Sequence, residues 1–168
     1  TDSKIYDGTV LTNADVTVGG DGFATGEGAT YDVTGSQLNV GSSDNTFTYT
    51  LNANTKADDY NITTANGTLT VTPVIEQVVV TIQGNSDSAV YDGAEHTVTG
   101  YEVGSISNPL YAVSDFTFSG SAEAKRTDVG TTYMNLTETQ FANGNPNFAN
   151  VTFVVDDGWM EVTPAPIP

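Results

Sequence analysis

Residues 58–73 read DDYNITTANGTLTVTP, and residues 145–164 read NPNFANVTFVVDDGWMEVTP. Both stretches alternate apolar and polar residues, then close on Thr-Pro, at Pro73 and Pro164. In TLTVTP, Leu69 and Val71 share one face; TFVV and WMEV behave likewise around the turn Asp156-Asp157-Gly158. A period of two carried by β-branched and aromatic residues marks half-buried antiparallel strands. Asn66-Gly67 and Asp157-Gly158 read as hairpin turns, since both dipeptides accept the positive φ that a tight turn needs.

Working outward, the whole chain is written twice. SKIYDGTVLT begins at Ser3 and SAVYDGAEHT at Ser88, so Tyr6-Asp7-Gly8 matches Tyr91-Asp92-Gly93. Val40-Gly41 matches Val129-Gly130, each leading into an aromatic and β-branched run. Repetition at this length means tandem domains with separate cores, here residues 1–73 and 74–168. The pattern predicts an all-β chain of two tandem immunoglobulin-like β-sandwich domains. Tyr-Asp-Gly reads as a corner at the start of a strand. Its Asp can accept a backbone N–H two residues on, and its Gly supplies the permissive dihedral. Pro73 and Pro164 lack a donor and end the ladder.

The copies differ at their beginnings. VVVTIQG precedes the second Tyr-Asp-Gly, with Val78, Val80 and Ile82 in alternation, and only Thr1-Asp2 precedes Ser3. The first copy therefore reads as lacking its leading strand and the chain as a fragment of a longer one. The expected consequence is an unpaired edge near Lys4–Tyr6 that recruits other strands.

Composition agrees with strands and turns. The 168 residues are 38% apolar, with 17 Gly and little helix-forming material. Twenty-one acids against four bases give a net charge of −17, which repels phosphate backbones and anionic membranes. Nucleic acid is thus excluded as a partner, and no apolar run reaches the roughly 20 residues that a membrane span needs. The chain has no Cys, which suits a bacterial surface protein or a cytoplasmic one.

Tyr-Asp-Gly, then Val-Gly before an aromatic strand, then DYNIT and NGTLTVTP, resembles the YDG/MBG-type immunoglobulin-like repeats of large bacterial cell-surface proteins. The second copy departs from that signature, with NFANVTF for DYNIT and GWMEV for GTLTV. The resemblance implies a module strung in series with neighbouring repeats on an adhesin or stalk, outside the cell, at the bacterial surface or cell wall. It carries over no catalytic residue.

The residues themselves point away from an enzyme. His96 is the single His, and no Cys is present to act as a nucleophile. Calcium is the candidate cofactor, with Asp58, Asp59, Asp87, Asp156 and Asp157 as oxygen donors that follow no ordered ligand spacing. An isopeptide staple would use Lys4, Lys56 or Lys125, none of which recurs in both copies. Two functions are expected in competition. One is a spacer that needs stiffness and no pocket; the other is a host glycan or mucin reader using Trp159, Tyr101 and Tyr111 as exposed aromatics.

Overall fold

The computed structural model describes residues 1–168 as an all-β chain, with three single-turn 3₁₀ segments as its only helix. It divides after Val74 into two compact units. The first holds β1 (Asp2–Ile5), β2 (Ala29–Val33), β3 (Gly41–Asn45), β4 (Phe47–Leu51) and β5 (Gly67–Thr72). The second opens with β6 (Val78–Gly84), β7 (Ser86–Val90), β8 (His96–Thr99), β9 (Tyr101–Ile106) and β10 (Phe116–Phe118). It continues with β11 (Glu123–Arg126), β12 (Gly130–Tyr133), β13 (Phe141–Asn143), β14 (Val151–Asp156) and β15 (Trp159–Thr163).

One sheet recurs in both units with the same order and register. β5 lies between β1 and β3, and β15 lies between β7 and β12. Asp2 faces Leu69 as Asp87 faces Met160, and Gly41 faces Val71 as Gly130 faces Val162. The central strands carry the core. Leu69, Val71, Met160 and Val162 are at most 1% exposed. Pro73 and Pro164 stand directly after β5 and β15.

Two expectations need correction. The strands are not all antiparallel: β1 runs parallel to β5, β6 to β14 and β7 to β15. Nor is Asp157-Gly158 a hairpin turn, because β14 and β15 belong to different sheets. Neither Gly67 nor Gly158 adopts positive φ, so neither glycine is selected for turn chemistry. Closeness selects Gly158. A Cβ there would lie 2.3 Å from the Asn85 carbonyl oxygen, and one on Gly84 would lie 2.3 Å from the Gly158 nitrogen. The parallel pair β6 and β14 thus bends into the parallel pair β7 and β15 with the two backbones in contact. Strands that switch sheets at such a bend are a recognised way to turn a corner.

β6 crosses the second unit between β14 and β9. Its alternation is that of the sequence: Val78, Val80 and Ile82 are buried to 1% or less. Val80 pairs with Phe153, so the two share a face, and Phe153 packs on Phe116 and Phe141. β6 and β9 slip register between Val80 and Ile82; there the Thr81 hydroxyl accepts the Ser105 N–H at 2.7 Å.

The first unit has no counterpart of β6. β1 is fully paired on one side with β5, and β7 occupies the same sheet edge in the second unit. The edge near Lys4–Tyr6 therefore recurs in the second unit as the edge formed by β7. Residues 16–19 and 61–65 lie outside the strands and take part in no backbone hydrogen bond to one.

The bend predicts a sharp contrast among glycines. Gly84→Ala should destabilise the second unit by about 3 kcal/mol, the upper end of the usual overpacking cost. Gly19→Ala, with nothing within 4 Å and no positive φ, should stay within about 0.5 kcal/mol. Chemical denaturation followed by circular dichroism separates the two.

Candidate functional site

Tyr-Asp-Gly forms the same corner twice. The Asp7 carboxylate accepts the Thr9 N–H, and the Asp92 carboxylate accepts the Ala94 N–H, each at 2.9 Å. Gly8 and Gly93 take φ of 79° and 81°, a region that L side chains avoid. Tyr6 and Tyr91 follow β1 and β7 and do not open them. Their N–H groups donate to Thr72 and Thr163 and so extend the parallel ladders by one bond. The Tyr6 ring packs on Leu11, Leu69 and Val71; Tyr91 is more open.

Each corner carboxylate also holds a base, from a different place in sequence. Lys4 Nζ lies 2.9 Å from Asp7 Oδ1, and His96 Nε2 lies 2.8 Å from Asp92 Oδ1. The Lys4 and Thr9 side chains, with the Thr9 N–H, hold the Asp7 carboxyl well below the usual range. The Ala94 N–H, then His96, lower that of Asp92. Lys4 and Lys125 are engaged in ion pairs, with Asp7 and Glu123, and Lys56 is exposed.

The aromatics expected on the surface of the second unit are placed otherwise. Tyr111 is 3% exposed, edge-on to Phe148, with its hydroxyl bonded to the Asp115 carbonyl and the Asn143 side chain. Burial, with Asp115 nearby, pushes its phenol up to about 12. Tyr101 is part of an aromatic cluster with Phe118 and Phe141. Trp159 is half-buried in β15, opposite Tyr133. The sequence marked Tyr101 and Tyr111 by their divergence from the first copy; that divergence records a larger aromatic core.

The five acids singled out for calcium lie apart or are otherwise engaged. Asp58 and Asp59 sit in an exposed 3₁₀ turn. Asp87 is in β7 and accepts the Ser88 N–H. Asp156 is exposed, and Asp157 receives the backbone N–H groups of Asn135 and Leu136, both at 3.0 Å. No three acidic or imidazole side chains gather as a metal site would require. Asp157 is a structural acceptor: Asn135, at φ 61°, is held in its left-handed turn by this carboxylate.

Sequence reading missed a concavity. The first unit has an open cleft of about 800 Å³. Val16–Gly19, Asn61–Thr64 and the Tyr31, Phe47 and Tyr49 side chains of β2 and β4 are among the residues that line it. Beside it, the Tyr60 ring stands edge-on to Phe23, and its hydroxyl bonds the Glu27 carboxylate. Tyr31 and Tyr49 are 37% and 40% exposed, against 7% and 5% for Phe116 and Phe141 in the second unit. The available signal was the contrast between VVVTIQG, which leads into the second Tyr-Asp-Gly unit, and the first unit, which has no strand like β6 over its Tyr31 and Tyr49 rings.

No family model, curated protein or solved structure matches the chain. No helix is long and apolar enough to cross a membrane.

Two outcomes follow, one from the Asp92 corner and one from the Asp157 acceptor. A carboxyl whose folded pKa is depressed stabilises above its unfolded pKa, 3.8 for Asp, and loses that stabilisation as pH falls through the folded value. Melting temperature should therefore fall as pH drops from about 5 toward 2, and Asp92→Asn should flatten that acid limb for the second unit. An acid limb unchanged by the substitution contradicts this account. Asp157→Ala should cost the second unit about 2 kcal/mol, since it removes the acceptor of two charge-assisted bonds.

Proposed function

We propose that this chain is a non-catalytic module of a bacterial cell-surface protein, two immunoglobulin-like β-sandwiches in series acting as stalk or spacer of an adhesin. The observation that carries the reading is the pairing of entry and exit strands. In the first unit the chain enters through β1 and leaves through β5, its parallel neighbour, over four residue pairs. In the second it enters through β6 and β7 and leaves through β14 and β15, with six and five parallel pairs.

Tension applied to the two ends of a unit pulls parallel neighbours along their length in opposite directions. All the ladder bonds then share the load and must break together. Antiparallel terminal strands would instead be peeled apart one bond at a time. A spacer held between a surface and a bound target meets this kind of load. The resemblance of Tyr-Asp-Gly and NGTLTVTP to repeats of bacterial surface proteins supports the same setting. Of the three aromatics of the competing glycan reading, Tyr111 is buried and Tyr101 packs in the aromatic cluster, which leaves the half-buried Trp159.

Single-molecule pulling of the full chain from its two ends tests the proposal. Two unfolding events are expected, the first unit yielding at the lower force because its parallel ladder is shorter. Pulling through cysteines at V90C and P164C, which lie at one end of the β7–β15 ladder, should open the second unit at markedly lower force. End-to-end resistance no greater than in this peeling geometry would remove the basis for a load-bearing spacer.

A further inference from the structure

We infer that the cleft of the first unit is a docking slot for one more β-strand, of the chemistry of β6, delivered through the amino end of Thr1. This inference stands apart from the spacer reading and rests on superposing the plan of one unit on the other. Thr1 occupies the place of Ser86, because β1 and β7 share register on β5 and β15. Gly67 occupies the place of Gly158, and a Cβ on Gly67 would lie 2.6 Å from the Thr1 nitrogen. The approach that brings β6 and β7 around the corner at Gly158 thus recurs at Gly67, with Thr1 in the position just after the bend.

Counting outward from that shared register without a gap brings residues 61–65 to Thr152–Asp156 of β14 and residues 16–18 to Tyr101–Val103 at the start of β9. In the second unit those two elements flank β6. In the first both segments line the cleft, and no strand of the unit pairs with either. On that count Ile62 corresponds to Phe153 and Val16 to Tyr101. Beneath them lie Tyr31, Phe47 and Tyr49, where the second unit has its phenylalanine cluster. What differs is the cover: Val78, Val80 and Ile82 seal that cluster, while Tyr31, Tyr49 and Val18 remain open.

The occupant is therefore specified. It is an extended segment with branched aliphatic side chains at alternate positions, running parallel to residues 61–65 and antiparallel to 16–19. Its backbone would meet unpaired groups on both sides, and its inward side chains would close an apolar floor. The exposed acids near the slot, Asp21 and Asp59, favour a strand without carboxylates, as VVVTIQG is.

The test adds Val-Val-Val-Thr-Ile-Gln-Gly-Asn, the sequence of residues 78–85, directly before Thr1 of the full chain. The first unit's melting temperature should rise by more than about 10 °C, a shift expected for burying several aliphatic side chains in a domain of this size. Amides of residues 16–19 and 61–65 should gain protection from hydrogen exchange. An extension with Ser at the three inward positions should do neither. Absence of the shift and the protection, or an equal effect from the Ser-bearing extension, overturns the inference. So does tight binding of the same peptide added in trans when the fused strand fails to dock, because the source would then be another molecule. A glycan that perturbs Tyr31 and Tyr49 in the unextended chain, with no response to the extension, would also overturn it in favour of a sugar site.

Discussion

Contact between the backbones at Gly84 and Gly158 is the constraint from which the second unit follows. With no side chain on either residue, two parallel strands turn the same corner side by side. That turn lets one pair of chain segments serve two sheets. It also sets the first strands of the unit beside the last ones, so the ends of the chain are joined by hydrogen bonds before any side chain is considered. A Cβ at either position would force the segments apart and break both ladders at their shared end.

Around this frame the side chains do unequal work in the two units. The second fills its interior with Met134, Met160, Leu136 and an aromatic cluster of five rings. The first has Leu11, Leu69 and Val71, and it places Asn45 where the second has Met134. Asn45 is 5% exposed; its amide nitrogen bonds the Asn13 carbonyl, and its Oδ1 has no partner. A buried acceptor left unpaired costs stability, and a cleft beside a thin core costs more. The first unit is accordingly the weaker of the two on three independent counts: core size, polar satisfaction and ladder length.

Much of this was legible in the residues. Alternation identified Leu69, Val71, Val78, Val80 and Ile82 as buried, and the twin Tyr-Asp-Gly stretches pointed to a turn closed by Asp and Gly. Strand direction was not legible, because period two is the same for parallel and antiparallel neighbours. Asp157-Gly158 misled for a related reason: glycine serves positive φ and close approach alike, and only coordinates show which. Tyr101 and Tyr111 were read as surface residues because they had no partners in the first copy. Their partners, Phe118, Phe141 and Phe148, come from far along the chain.

The repetition of β1 as β7 has a consequence for how the chain reaches its native state. TDSKIY and SDSAVY present nearly the same backbone and side chains to two central strands of matching pattern. A nascent chain could seat either segment against either acceptor, and mispaired repeats are a common kinetic trap in tandem proteins. The interiors differ, with Met134, Met160 and the aromatic cluster in one and Leu11, Leu69 and Val71 in the other, so an exchanged segment would meet a core it does not fit. Divergence between the copies is thus what distinguishes the correct pairing from the exchanged one.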